Sequence, residues 1–338
     1  MNTTELYTQW LEKATADPDL QAELQAIAGQ DEEIRDRFYR SLEFGTAGLR
    51  GVIGAGTNRM NVYTVGRATQ GLADYLNAKY DHPSVAIGYD SRIKSDLFSK
   101  EAAAVLAGNG IKVYLFDSCR PTPEISFAIR HLGCQSGVII TASHNPKEYN
   151  GYKAYWEDGA QVLAPHDKGI IDEVNKITSV SEIKFQGNKE LIQIVGKEID
   201  DEYLRQVHTL SIDPEVIQRQ KDLKIVYTPI HGTGMKLIPQ SLKLWGFENV
   251  HCVAEQMVKS GDFPTVVSPN PENAEALTLA IKLAKEIDAD IVMASDPDAD
   301  RVGMACKDSK GEWVLINGNQ TCLISCTTSS RTVSLWAR

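Results

Sequence analysis

Disulfide chemistry is the first thing this chain lacks. Its six cysteines in 338 residues, Cys119, Cys134, Cys252, Cys306, Cys322 and Cys326, are scattered and form no C-x-x-C pair. That pattern fits reduced thiols in a cytosolic protein better than a disulfide frame or a thiolate zinc site. Long apolar runs are also missing, since no stretch approaches the roughly 18 residues of a membrane span. Positive charge is in deficit: 35 Lys and Arg face 45 Asp and Glu, for a formal net charge of -10. This argues against nucleic acid and anionic membrane as general partners. An anionic substrate stays compatible where basic residues gather locally. The opening residues, Met1 to Leu6, carry neither a basic n-region nor an apolar h-region. No signal peptide is therefore expected, and the expected compartment is the cytoplasm. The sequence says nothing about oligomeric state.

What is present is an ordinary globular composition, 42% apolar and 24% charged, long enough for two domains. Residues 3 to about 41 carry apolar residues at helical spacing: Leu6, Trp10 and Leu11, then Leu20, Leu24 and Ile27. Asp31-Glu32-Glu33 places acids where a helix dipole favours them. A helix is expected from about Val62 to Tyr80. Strand-like runs then alternate with helices: Val85–Tyr89, Asp96–Leu106, Val113–Phe116, Thr122–His131 and Gly137–Ile140. Such alternation predicts βαβ units. A helix over Lys168–Ile177 and a weakly patterned stretch over Ser179–Lys197 follow. A second series begins after a boundary near residue 205: strand Leu223–Tyr227, helix Met235–Leu244, strand Val250–Val253, helix Asn273–Ile287 and strand Ile291–Ala294. Val302–Leu315 reads as a hairpin turning at Lys310-Gly311. From Asn317 the pattern decays, with no expected element.

Two strand ends carry the chemistry. The first empties into Thr141-Ala142-Ser143-His144-Asn145-Pro146, followed by Tyr149-Asn150-Gly151-Tyr152-Lys153. Asn145-Pro146 and Asn150-Gly151 are turn signals, so a loop tight at each end is expected, holding a hydroxyl, an imidazole and an ammonium group. Ser143 activated directly by His144 is poor geometry if the two are extended, because neighbouring side chains on a strand face opposite ways. A serine that carries a phosphoryl group among cations fits better, and a turn whose Ser and Asn cap backbone groups is the plain alternative. Asp90-Ser91-Arg92 ends another strand on the same rim and makes Arg92 a further candidate cation.

The second strand end is Ser295-Asp296-Pro297-Asp298-Ala299-Asp300-Arg301. Three carboxylates at alternate positions are all ionised at neutral pH by their ordinary pKa values. Desolvated together they need a partner, and a hard divalent cation such as Mg²⁺ suits an all-oxygen set. The Gly and Glu of an EF-hand are absent, and a solvated acidic turn is the alternative. Near the start, Phe44-Gly45-Thr46-Ala47-Gly48-Leu49-Arg50-Gly51 puts Arg50 on a glycine-rich segment. It reads either as a surface turn or as a phosphate-facing guanidinium.

T-A-S-H-N-P with Y-N-G-Y-K, D-P-D-A-D-R after a strand, and F-G-T-A-G-L-R-G, in that spacing, resemble the α-D-phosphohexomutase family, in the phosphoglucomutase group that includes phosphopentomutases. The resemblance runs from about residue 40 to about residue 320. It implies two successive doubly wound mixed α/β domains after an N-terminal helical extension. The implied divisions are 1–41, 42–205, 206–316 and a stub of a third domain at 317–338. It implies that Ser143 is the phosphoserine and binds Mg²⁺ with Asp296, Asp298 and Asp300, the metal joining two domains. It implies that Arg50, His144, Lys153 and Arg301 surround the reacting phosphoryl group, and that His231, in His231-Gly232-Thr233-Gly234, lies near the same cleft. The implied reaction interconverts sugar 1- and 6-phosphates, glucose phosphates foremost, through a sugar bisphosphate such as glucose 1,6-bisphosphate. Mannose and pentose phosphates stay open as substrates. The family's third and fourth domains have no counterpart here, so residues from about 322 read as a divergent or frameshifted tail, with a two-domain variant as the alternative. On that reading the chain alone is expected to turn over little. An inactive metal- or phosphate-binding fragment is the competing class, and an aspartyl phosphatase would leave the Ser143 loop unexplained.

Overall fold

The structure is a computed structural model and describes residues 2–45 and 48–336. Thr46 and Ala47 of the glycine-rich segment, and Ala337 and Arg338 of the C-terminal stretch, lie outside the described residues. The chain divides into two units: Met1–Ala142 with Glu148–Gly196, and Ser143–Lys147 with Lys197–Arg338.

The first unit opens with three helices, α1 (Thr3–Lys13), α2 (Pro18–Ala26) and α3 (Asp31–Phe38). The starts of the first two are written locally. Asn2 and Glu5 close a capping box on α1, and Asp17 caps α2 just before Pro18 at its first position. These helices do not stand apart as an extension, because Tyr7, Trp10, Leu20, Leu24 and Phe38 belong to the same continuous core as the sheet behind them. That sheet contains β1 (Gly48–Val52), β2 (Ser84–Tyr89), β3 (Lys112–Phe116), β4 (Ser136–Ile140), β5 (Tyr149–Trp156) and β6 (Ile192–Val195). Its order is β1-β5-β4-β2-β3-β6. The strands β4, β2, β3 and β6 run parallel, and β5 and β1 add an antiparallel edge. The helices α4 (Val62–Lys79), α5 (Ser95–Gly108), α6 (Thr122–His131) and α7 (His166–Lys176) complete the unit. Every residue of β4 is buried, as a central parallel strand requires.

Two strands of this sheet differ from the sequence expectation. The Asn150-Gly151 pair is not a turn, because both residues lie within β5 and pair with Gly51 and Arg50 of β1. Their glycines serve close approach. A Cβ on Gly151 would lie 2.4 Å from the Thr141 carbonyl oxygen, and one on Gly48 would lie 1.8 Å from that of Tyr152. The stretch 179–197, weakly patterned in sequence, supplies the edge strand β6.

The second unit begins with α8 (Lys197–His208), so residue 205 lies inside a helix, and continues with α9 (Pro214–Arg219). Its sheet has the order β11-β10-β9-β7-β8. Here β7 (Ile225–Thr228), β8 (Val250–Cys252) and β9 (Ile291–Ser295) are parallel. The hairpin β10 (Val302–Lys307) and β11 (Trp313–Ile316) is antiparallel. The helices α10 (Gly234–Trp245) and α11 (Thr278–Glu286) flank it. The core is small-residue rich: Ala276, Ala280 and Ala284 pack against Val226, Val292 and Ala294. Residues from 318 form a helix, α12 (Gly318–Trp336), where no element was expected. After Gly318 the stretch has neither Gly nor Pro to break it. Thr327 and Thr328 return their hydroxyls to the carbonyls of Leu323 and Ile324 at 2.7 and 2.9 Å, which keeps polar side chains compatible with a helix. Among the described residues no helix is long and apolar enough to cross a membrane.

Candidate active site

The chemistry of the second unit gathers at the carboxyl end of β9. Asp296 and Asp298 are fully buried, and Asp300 is exposed. One carboxylate oxygen from each lies within 4.8 Å of the others. The turn is held by its own backbone, with the Ala299 amide donating to the Asp296 carbonyl at 2.9 Å. The Arg301 amide donates to Asp296 Oδ1 at 3.1 Å. Burial, then the charges of Asp298 and Asp300, push the Asp296 carboxyl up to about 8. An all-oxygen, mutually repelling donor set of this kind fits Mg²⁺, a hard cation that takes carboxylates.

Ser143 meets this cluster. Its hydroxyl donates to Asp296 Oδ2 at 2.7 Å, and the side chain is buried. The short segment Ser143–Lys147 groups with the second unit. The expectation that Ser143 and His144 are poorly placed to couple fails for a clear reason. Ser143 has φ of 52°, so the backbone is left-handed rather than extended. Its Oγ lies 3.1 Å from His144 Nδ1.

The His231-Gly232-Thr233-Gly234 loop packs against the aspartate loop. The Thr233 amide donates to the Pro297 carbonyl at 2.8 Å. A Cβ on Gly232 would lie 2.5 Å from Pro297 Cα, and one on Gly234 would lie 2.6 Å from Ser295 Oγ. Only glycine permits that contact. The ring of His231 is buried with both nitrogens engaged, by the Val258 carbonyl at 2.8 Å and Thr265 Oγ1 at 2.9 Å. Both bonds fix the loop, a supporting role that the motif alone did not indicate. Ser295 is held in turn by the Tyr227 hydroxyl at 2.8 Å, a partner that sequence reading missed. Arg301 is exposed and lines a cavity of about 190 Å³ with Asp300 and Tyr227.

In the first unit, Arg50 is exposed on β1 and pairs with Gly151 of β5. Lys153 sits on β5, buried, opposite Gly48 on one side and Ile139 on the other. It is thus a strand residue, not part of the loop. Arg92 is not available as a cation at the rim. It is buried, with Nε 3.4 Å from Asp90 Oδ2 and one terminal nitrogen donating to the Tyr149 carbonyl at 3.0 Å. Asp90 also accepts from Ser95 and Thr141 at 2.8 and 2.7 Å, so this network shapes the strand ends before the Ser143 turn.

The family models for phosphoglucomutase/phosphomannomutase match in succession: alpha/beta/alpha domain I over residues 41–181 and alpha/beta/alpha domain II over residues 201–311. The chain belongs to this family. The phosphoglucomutase of Staphylococcus haemolyticus is 40% identical over 287 residues, covering 84% of this chain and 52% of that protein. That of Staphylococcus epidermidis is 40% identical over 294 residues, covering 86% and 53%. The chain therefore spans about half the length of the curated relatives it matches. The fold is shared with a solved phosphoglucomutase/phosphomannomutase family protein from Burkholderia thailandensis, with a TM-score of 0.62 at 22% identity, over 80% of this chain and 55% of that one. Within this phosphohexomutase framework the domain I match takes in β1 to β5 and the Ser143 turn. The domain II match takes in β7 to β10 with the aspartate loop.

Proposed function

We propose that this chain provides the phosphoserine and metal-binding parts of a phosphoglucomutase-type phosphotransferase, acting on sugar 1- and 6-phosphates with glucose phosphates preferred. The observation that carries the reading is the 2.7 Å hydrogen bond from the Ser143 hydroxyl to Asp296 within a trio of clustered carboxylates. The glucose preference is supported by the 40% identity to the staphylococcal phosphoglucomutases.

Ser143 carries the phosphoryl group and gives it to a hydroxyl of the sugar phosphate. The bond from phosphorus to the serine oxygen breaks as the bond to the sugar oxygen forms; the sugar hydroxyl gives up one proton and the departing serine oxygen takes one up, so no net proton is consumed. The resulting bisphosphate returns its other phosphoryl group to Ser143 in the reverse sense. His144, beside the serine oxygen, is placed to take or return a proton there. Arg50, Lys153 and Arg301 supply positive charge to the phosphoryl oxygens, which is the larger part of catalysis in this reaction class. His231 holds the loop that supports the aspartates. Asp296, Asp298, Asp300 and a phosphoserine oxygen would hold Mg²⁺, which when bound neutralises the crowded negative charge. The compartment we assign is the cytoplasm, in keeping with free thiols at all six cysteines.

The half-reaction tests this. Chain phosphorylated at Ser143 and mixed with glucose 1-phosphate and Mg²⁺ should form glucose 1,6-bisphosphate while losing its phosphate. Mannose 1-phosphate should react more slowly. Retention of the phosphate with every sugar phosphate offered would overturn the proposal.

A further inference from the structure

The first unit holds a cleft of about 530 Å³, walled by residues from three stretches, 2–14, 38–68 and 174–183. That size is typical of small-molecule sites. Trp10, Phe38 and Tyr63 form an aromatic wall, with Trp10 edge-on to Phe38 and Tyr63 at centroid distances of 5.7 and 5.3 Å. The charged residues in its described lining are Lys13, Arg40 and Arg67, with no aspartate or glutamate among them. A wall of one sign stands out in a chain where 45 acidic residues outnumber 35 basic ones.

Arg67, on α4, is the half-buried member of the three. Its Nε donates to the Ile177 carbonyl at 3.1 Å. Burial alone shifts its pKa, and the direction is downward. A neighbouring carboxylate would have pulled the other way. A guanidinium partly desolvated without an anionic partner is costly, and a planar anion is the partner its fork matches. Arg40 and Lys13 are exposed at the cleft. Among the described residues the Arg40 Nε donates to the neutral Asn58 side chain, at 3.2 Å, and its guanidinium lies 5.1 Å from the centre of the Tyr39 ring.

We propose that this cleft binds a small organic anion. A carboxylate or phosphate group pairs with Arg67, and an aromatic or aliphatic body packs against Trp10, Phe38 and Tyr63. None of Arg50, Ser143, Lys153 or the aspartate trio lines the cleft, so the site is independent of the phosphotransferase reading. Because α1 and α4 both contribute walls, the bound anion ties the N-terminal helices to the body of the unit.

The full chain should be titrated calorimetrically with indole-3-acetate, phenyl phosphate and the neutral indole-3-acetamide. At least one anion should bind about tenfold more tightly than the amide, the scale of one charge-assisted contact. The stronger of the two anions identifies the head group. Arg67→Met should abolish the preference, Arg67→Lys should keep part of it, and the bound anion should slow amide exchange in α1. If Arg67→Met fails to fold, the paired rim variant Lys13→Met with Arg40→Met should weaken the anions and leave the amide unchanged. Equal binding of acid and amide, an undiminished preference in Arg67→Met or in the rim pair, or no saturable binding of either anion at millimolar concentration would overturn the proposal.

Discussion

Acidification should release Mg²⁺ from the aspartate loop well above the ordinary carboxylate range. In the unfolded chain Asp296 gives up its proton near 3.8, whereas in the fold its carboxyl is pushed up to about 8, chiefly by burial. Between those values the folded state holds one more proton than the unfolded state. Stability of the metal-free chain therefore falls as pH rises through this window, by about 1.4 kcal/mol per pH unit and of the order of 5 kcal/mol in all. Mg²⁺ must displace that proton, so its apparent affinity should weaken about tenfold for each pH unit below 8. At an ion concentration about 100 times the dissociation constant at pH 8, binding contributes about 3 kcal/mol of stability, and at pH 6 the same concentration contributes less than about 1 kcal/mol. Thermal melts with and without MgCl₂ at pH 6, 7 and 8 read this directly. A magnesium-induced shift that is the same at pH 6 and pH 8 would refute the reasoning, because it would mean that Asp296 is already ionised at pH 6.

Gly232→Ala should press a methyl group onto the Pro297 backbone, cost about 1–3 kcal/mol, and weaken Mg²⁺ binding, measurable by urea unfolding and ion titration. Arg92→Ala leaves Asp90 buried without its cation and should cost about 3–5 kcal/mol in urea unfolding, more than a surface arginine would. Leu24→Ala empties a fully buried position in the N-terminal layer and should cost about 2–5 kcal/mol; a loss below 1 kcal/mol would show that this layer is not part of the first unit's core.

The meeting of Ser143 with the aspartate loop came from the family resemblance; residue chemistry marked the strand-end serine and the three alternate carboxylates as unusual, but left a backbone-capping turn and a solvated acidic turn open. The alternation of apolar runs and helical stretches likewise marked nearly every central strand. What escaped were elements whose signals point elsewhere. Gly48 and Gly151 look like loop residues, yet they are glycines because strands β1 and β5 pass too close to other backbone for a Cβ. The short edge strand β6 is mostly exposed, so it carries no buried run to read. The contact of Ser143 with His144 depends on one left-handed residue, which no periodicity announces. The α12 stretch looked patternless because Ser and Thr are weak helix formers, and it is helical because nothing in it breaks a helix.

Peptide mapping after exposure of the chain to glucose 1,6-bisphosphate and Mg²⁺ tests the central claim most directly. One phosphoryl group should appear on Ser143, and it should be absent from Ser143→Ala and much reduced in Asp298→Asn. Phosphate on another residue, or equal labelling of Ser143 without the carboxylate, would contradict the account.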